Sequence, residues 1–450
     1  MAGMIMDGLT IFAVATAVGR AGVAMTRVSG PGALDSLCRL GGLDGVPPAR
    51  YMTRVRLRNP STGHDIDDAL VVAFPAPGSF TGEDVVEFYT HGGRAVSMAL
   101  IEALSSVWGL RLAEPGEFSR RAFENGKMDL TSVEAIADLV AAETAGQHRQ
   151  ALRQLDGELG LLYDGWRSRL LGAMAHLEAT IDFSEEDIPD GLGQRVMDDI
   201  AKVSVEIKEH LDDDHRGERL RDGFQIAIIG APNVGKSSLL NRLAQRDAAI
   251  VSETAGTTRD VIEVRLDLSG YPVTLVDTAG IRESLDAVER EGVRRSRDRA
   301  DKADLVMAVF DAYTWPNIPQ GVAEIMDSSS VLVVNKSDLR ATEQKLNFDG
   351  RPAIPISALT GDGIDSLISS LSGIVDACFC AGGNAPLTKM RHRIALEECL
   401  ERLEQSLTTV PCELAAEDLR LASRSLGQIT GRVDVEDILD IVFREFCIGK

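Results

Sequence analysis

Short apolar runs broken by glycine and proline open the chain. "TIFAVATA" (10–17), "TRVRLRN" (53–59) and "DDALVVAFPAPG" (67–78) have the length and bounding turns of β-strands. "GGRAVSMALIEALSSVWG" (92–109) repeats at helical spacing, with Met98, Ile101 and Leu104 among the residues on one face. The mixture predicts an α+β domain over residues 1–122. Over 123–220 the apolar positions recur at helical spacing, predicting long helices, and Thr131 with Glu134 reads as a capping box. The acidic "EHLDDDHRGERLRD" (209–222) reads as a helix end running out along a solvated face.

The rhythm changes at Phe224. "FQIAIIG", "VIEVRLDLSG", "YPVTLVDTAG", "ADLVMAVFDA", "SSVLVVNKSDL" and the shorter "PAIPISAL" are strand candidates, with helical stretches between several of them. They predict an α/β domain over 221–376. Helical periodicity returns over 377–450 in "RHRIALEECLERLEQSL", "PCELAAEDLRLASRSLGQI" and "VDVEDILDIVFREF". Each helix has an apolar stripe that needs a partner. One helical domain built from 123–220 and 377–450, with the α/β module inserted at an exposed turn, meets that need; two separate helical domains are the alternative.

Composition narrows the class. With 450 residues, 44% hydrophobic and 26% charged, the chain is an ordinary multidomain globular protein. Its net charge of −22 opposes a general nucleic-acid coat and leaves room for a local basic patch or a basic partner. Six scattered cysteines are too few for a disulfide scaffold and point to a reducing, cytoplasmic setting. Cys378 and Cys380 form a CxC pair with no second pair to complete a zinc site. The first residues lack a basic region and carry Asp7, against a secretory signal, and no apolar run is long enough to span a membrane.

The chemistry is concentrated in the α/β segment. "GAPNVGKS" (230–237) fits GxxxxGKS between a strand and a helix. Its glycines let backbone N–H groups curl around a phosphate, Lys236 reaches the β/γ oxygens, and Ser237 offers a hydroxyl to Mg²⁺. Asp277 follows a strand and suits the metal through water, and the Gly280 N–H suits the γ-phosphate. "NKSD" (335–338) supplies Asp338, whose carboxylate can accept both the N1–H and the exocyclic amine of guanine; adenine lacks that pair. Ser357, Ala358 and Leu359 would close over the base edge. Four motifs in this order predict GTP binding and hydrolysis. Val234, Gly235, Lys336, Thr278 and Ala279 fall within them, and Ser238 directly follows the first, as candidate nucleotide contacts.

The loop "SETAGTTRD" (252–260) brings Ser252, Glu253, Thr254, Ala255, Gly256, Thr257 and Thr258 towards the nucleotide. One of the two adjacent threonines can reach Mg²⁺ in the loaded state. Asn233 either braces the phosphate loop or, with this loop, cages a monovalent cation where charge develops. Gly280 is followed by Ile281, which cannot orient water as the glutamine of many GTPases does. Glu289 can take that work, although the pattern alone barely separates it from Glu283, Asp286 or Glu291.

The segments "GRAGVAMTRVSG", "PAPGSFTGEDVVEFYTHGG", "PGEFSRRAFENGKMDL", "EAIADLV", "GAPNVGKSSLLNRLA", "ETAGTTRD", "DTAGIRE", "AEDLRLASRSLGQITGRV" and the terminal "FCIGK" together resemble the MnmE (TrmE) family of tRNA-uridine modification GTPases, from about residue 10 to Lys450. The resemblance implies an N-terminal domain that binds tetrahydrofolate and dimerises, followed by a helical domain interrupted by a Ras-like, TrmE-Era-class P-loop G domain. It implies action with the FAD protein MnmG, in a heterotetramer or larger complex. That complex adds a carboxymethylaminomethyl or aminomethyl group at C5 of the wobble uridine of certain tRNAs, with 5,10-methylenetetrahydrofolate or a related reduced folate as one-carbon donor. GTP hydrolysis, giving GDP, would be stimulated by K⁺ and by G-domain approach within a homodimer.

By the same resemblance Arg27, Glu87, Lys127 and Lys450 contact the folate, and Cys447 lies near it with either a chemical or a packing role. Asn233, Ser252, Thr254 and Thr257 would hold K⁺, Ser237 and Thr258 would hold Mg²⁺, and Glu289 would orient water. The chain departs from the family pattern in three places. The proline usual before Gly19 is missing, Leu359 stands where lysine is common, and "IPDG" (188–191) ends its segment differently. A ribosome-assembly GTPase and a non-catalytic folate-binding scaffold are the competing readings.

Overall fold

The computed structural model describes residues 9–17, 19–182, 192–246, 248–250, 263–277, 297, 299–339, 346–379, 386–408, 412–433, 438–439, 442–443, 446 and 449. They form two compact units: Met1–Ala137, Gln154–Ser168 and Ser423–Lys450 in one, Asp138–Arg153 and Arg169–Ala422 in the other.

The first unit is built on a six-stranded sheet. Its strands are β1 (Thr10–Val14), β2 (Ala21–Ser29), β3 (Thr53–Arg58), β4 (Asp65–Phe74), β5 (Val85–Gly92) and β6 (Leu110–Leu112), in the order β3-β4-β5-β2-β1-β6. All pairs are antiparallel except β1 with β6. Period-two alternation sends Phe12, Val28, Val71, Val86 and Phe88 into a core with α1 (Ala33–Gly41) and α2 (Arg94–Ser105). The opposite face carries Ile11 and Ala13, which cluster with Phe118 of α3 (Glu117–Glu124).

The helix expected at 92–109 is present, but its buried stripe is Leu100, Ala103 and Leu104, and Met98 is 56% exposed. Leu100, Ala103 and Leu104 join the core under the sheet and Ile101 packs partly against it, which turns the buried face away from Met98. The capping box is also corrected. Thr131 lies inside α4 (Leu130–Ala141), and Asp129 caps it, with Asp129 Oδ1 accepting from Ser132 N–H at 2.7 Å and from the Thr131 hydroxyl at 3.0 Å.

The second unit contains a seven-stranded sheet. Its strands are β7 (Phe224–Ile229), β8 (Glu263–Leu268), β9 (Tyr271–Asp277), β10 (Leu305–Asp311), β11 (Val331–Asn335), β12 (Asn347–Phe348) and β13 (Arg351–Pro355), in the order β12-β13-β11-β10-β7-β9-β8. The strands from β13 to β9 in that order run parallel, and β12 and β8 are antiparallel edges. One face packs on Leu239, Leu240 and Leu243 of the helix Lys236–Ala244 and on the helix Ile364–Phe379; the other packs around Phe310 and Trp315. Burial on both faces explains why the central strands β7, β10 and β11 read as nearly unbroken apolar runs, whereas the edge strand β8 alternates exposed and buried positions.

The helix Leu192–Leu211, before the α/β module, packs along Met390–Thr408, after it. The acidic stretch between them and the sheet is only in part the solvated face its composition predicts: Asp212, Asp214, His215 and Asp222 are exposed, but Asp213 and Glu218 turn inward. Arg393 donates to Asp213 at 2.7 Å and to Glu218 at 3.0 Å, and these carboxylate side chains are only 8% and 13% exposed. Arg393 also donates to the Leu211 carbonyl at 2.9 Å.

Beside this cluster the chain leaving the helices and the chain returning to them touch. A Cβ on Gly217 would lie 1.8 Å from the Leu387 carbonyl oxygen and 2.4 Å from its carbon. Both are backbone atoms, so Gly217→Ala is expected to cost about 3 kcal/mol and to lower the melting temperature by roughly 5–10 °C. Gly373, in the helix Ile364–Phe379 with open space around its Cβ position, is the control, and Gly373→Ala should leave the melting temperature unchanged or raise it slightly.

Candidate functional site

In a sheet wound this way, residues at the carboxyl ends of neighbouring parallel strands face one crevice. The phosphate loop follows β7, Asp277 ends β9, Asn335 ends β11, and Ser357 follows β13. Motifs more than a hundred residues apart therefore meet because of strand order.

The loop 230–235 is shaped by backbone that only certain residues accept. Gly230 and Gly235 have φ of 153° and 95°, and Asn233 is left-handed at 63°. A side chain on Gly235 would lie 2.3 Å from the Asn335 amide nitrogen. Asn335 fills that space, donating to the Val234 carbonyl at 2.8 Å and accepting from the Ala358 N–H at 2.9 Å. Lys336 Nζ donates to the Asn233 carbonyl at 2.9 Å and pairs with Asp311 at 2.7 Å. Asn335 and Lys336 thus tie the phosphate loop to the base-side loop. The Ser357 hydroxyl donates to Asp338 at 2.5 Å, which orients the carboxylate expected to read guanine.

Lys236 is 7% exposed, and its ammonium donates to the carbonyls of Gly230 and Ala231 at 2.9 and 3.0 Å. Burial pushes its pKa down, and the nearby Asp277 charge works against that. The Ser237 hydroxyl donates to Asp277, itself 1% exposed, at 3.2 Å. A hydroxyl and a buried carboxylate side by side are the hard oxygen donors that suit Mg²⁺. Ser238 follows in the same helix, Lys236–Ala244.

Among the described residues no group of three or more His, Cys, Asp or Glu forms a metal site. Ser252, Glu253, Thr254, Ala255, Gly256, Thr257, Thr258, Thr278, Ala279, Gly280 and Glu289 lie outside the described residues, as do Cys380, Cys447 and Lys450. Of the proposed K⁺ ligands, only Asn233 is described.

A second polar site lies on the first unit's sheet, on the face away from α1 and α2. Arg27 of β2 stands directly opposite Glu87 of β5, and their side chains pair at 2.9 Å. Tyr89, two residues on and so on the same face, donates to the other Glu87 oxygen at 2.6 Å, and burial first, then this carboxylate, pushes the phenol up to about 12. The Arg27 guanidinium lies 5.2 Å from the ring centre of Phe80 and 5.8 Å from that of Phe118. The result is a flat cation and a carboxylate beside aromatic rings, a donor set that fits a planar heterocycle with a mixed hydrogen-bonding edge. Lys127 lies over the loop that carries Phe80, donating to the Pro77 carbonyl at 3.0 Å. Gly449 packs against the Val14 carbonyl, at the end of the strand whose Ala13 is registered with Arg27.

Sequence reasoning missed several contributors. Tyr89 was accessible from its two-residue spacing to Glu87. Phe80 and Phe118 had no local signal. Arg299, which donates to the Asp277 carbonyl at 2.8 Å, and Arg242, which donates to the Leu359 carbonyl, were equally silent because their partners are distant in the chain.

Two family models match the chain. One, described as the MnmE helical domain, covers residues 130–447, and the other, the GTP-binding protein TrmE N-terminus, covers 10–127. The tRNA modification GTPase MnmE of Paramagnetospirillum magneticum is 56% identical over 98% of this chain and 99% of that protein. The protein of the same name from Rhodospirillum rubrum is 53% identical over 98% and 99%, and that of Parvibaculum lavamentivorans 54% over 98% and 100%. Among solved structures, Aquifex aeolicus Era bound to GDP.AlF4- is 26% identical, covering 42% of this chain and 68% of that one with a TM-score of 0.27.

Proposed function

Since the chain belongs to the MnmE family of tRNA modification GTPases, with near-full-length relatives at 53–56% identity, we propose that it hydrolyses GTP in the course of modifying tRNA. The convergence of Lys236, Ser237, Asp277 and the Asn335–Ala358 bridge at the strand ends is the observation that carries this reading. Lys236 would neutralise the β/γ-phosphate oxygens, Asn335 would hold the phosphate loop and base loop in register, and Asp338 would select guanine. Ser237 and, through water, Asp277 would hold Mg²⁺, which when bound supplies charge neutralisation between the phosphates.

The fuller proposal assigns residues 1–122 to folate binding and dimerisation, 123–220 and 377–450 to one helical domain, and 221–376 to the inserted G domain. The Arg27–Glu87 pair beside Phe80 and Phe118 supports a pterin there, because a pterin is planar and offers both donors and acceptors. Lys127 and the terminal Lys450 would meet the anionic tail. The homodimer would act in the cytoplasm with MnmG on the wobble uridine of certain tRNAs. A cation held by Asn233 and the 252–257 loop, together with Glu289, would take over the work of the missing glutamine. Among the described residues, no helix is long and apolar enough to cross a membrane.

Deleting the gene and analysing tRNA nucleosides tests the proposal: the modified wobble uridine should disappear and return on complementation. Unchanged modification with ribosome-assembly defects would favour the competing GTPase reading. Turnover of the purified protein should be at least about tenfold faster in KCl than in NaCl, the scale of one electrostatic contact in the transition state. Equal rates would remove the cation.

A further inference from the structure

The base-side loop, Ser357–Gly363, is held from within and from outside. Within it, Ser357 N–H donates to the Asp362 carbonyl at 2.9 Å and Gly361 N–H to the Ser357 carbonyl at 2.8 Å. From outside, Asn335 takes the Ala358 N–H, and Asp338 takes the Ser357 hydroxyl. The last external hold comes from the phosphate-loop helix, Lys236–Ala244, where Arg242 Nη2 donates to the Leu359 carbonyl at 2.5 Å. The same guanidinium lies 3.3 Å from the position a Cβ on Gly361 would take, so the loop backbone is seated on it. Arg242 Nε is buried without a hydrogen-bond partner, so the guanidinium is committed to the loop through Nη2 at some cost.

Leu359 itself is 80% exposed and adds no polar contact of its own. Its side chain does not anchor the loop; its carbonyl does, through Arg242. One helix therefore meets the phosphates at its first residue, Lys236, and steadies the base loop six residues later.

We propose that Arg242 is a positioning residue for guanine specificity: by gripping the Leu359 carbonyl it holds Ser357, and through the Ser357 hydroxyl the Asp338 carboxylate, in the orientation that accepts both guanine donors. The inference rests on the guanine-nucleotide reading above. Asp338 needs two hydrogen bonds from one edge of the base at once, and such a fork is sensitive to small rotations. Losing the grip should harm the second bond more than the overall seating of the nucleotide.

The test compares fluorescent derivatives of GDP and inosine diphosphate, which differ only in the 2-amino group, on the full-length protein. Wild type should prefer GDP. In Arg242→Ala, GDP affinity should fall about tenfold, the scale of one hydrogen bond from a charged group. Inosine diphosphate affinity should fall only about threefold, so the preference narrows. Arg242→Lys, which can still donate to one carbonyl, should recover most of the preference. Thermal melting of each variant checks that it folds. Equal losses for the two nucleotides, unchanged GDP binding in Arg242→Ala, or a lysine variant no better than alanine would overturn the proposal. Wild-type protein that binds neither nucleotide would instead defeat the guanine reading on which it rests.

Discussion

Lys236→Ala is expected to abolish GTP turnover while leaving the fold intact. The side chain is a buried ammonium that two loop carbonyls, Gly230 and Ala231, hold in place before any phosphate arrives. A positive charge kept out of water interacts strongly with the β/γ oxygens and needs no reorganisation when charge shifts in the transition state. Removing it should slow single-turnover hydrolysis by about 10³-fold, as for loss of one preorganised donor. Stability should hold or rise slightly, because burial already disfavours the charged form. Quench-flow hydrolysis and thermal melting on the same preparation separate the two effects. A rate within a few-fold of wild type would show that the phosphates sit elsewhere.

Asp338→Asn is expected to exchange guanine for xanthine. The carboxylate offers only acceptors, and guanine presents two donors, N1–H and the 2-amine. An asparagine keeps the oxygen that accepts from Ser357, now 2.5 Å away, and replaces the other oxygen with an amide donor. That donor opposes the guanine amine but meets the C2 carbonyl of xanthine. One charge-assisted bond is lost, a donor is set against the guanine amine, and the remaining N1–H bond loses its charge; together these amount to about 3–6 kcal/mol, so GDP affinity should fall by roughly 10³-fold. Xanthosine diphosphate should bind the variant better than it binds wild type by a similar factor. Titration calorimetry with both nucleotides measures the exchange. Loss of GDP binding without gain of xanthosine diphosphate would mean that Asp338 supports the loop rather than reading the base.

The chemistry of the nucleotide site was legible because each motif is local. A glycine that must turn, a lysine at the helix start and an aspartate at a strand end each carry their reason within a few residues. The residues proposed to contact folate were singled out only by resemblance. Arg27 and Glu87 lie 60 positions apart, and a lone arginine on a strand has no visible partner until the β2–β5 register pairs it.

The amino-acid sequence by itself determined the element types, the α+β, helical and α/β succession, and the GxxxxGKS and NKSD motifs from which the nucleotide contacts are proposed, because periodicity and backbone preference are properties of neighbouring residues. Only the tertiary structure decided the rest. It made Asp129 rather than Thr131 the helix cap, turned the face of the helix Arg94–Ser105 so that Met98 points to solvent, and buried Asp213 and Glu218 under an arginine some 180 positions away. It also gave Arg242 the Leu359 carbonyl, 117 positions away. A charge looks solvated in the chain whenever its counter-charge is remote, and only strand order and helix packing bring the two together and exclude water from between them.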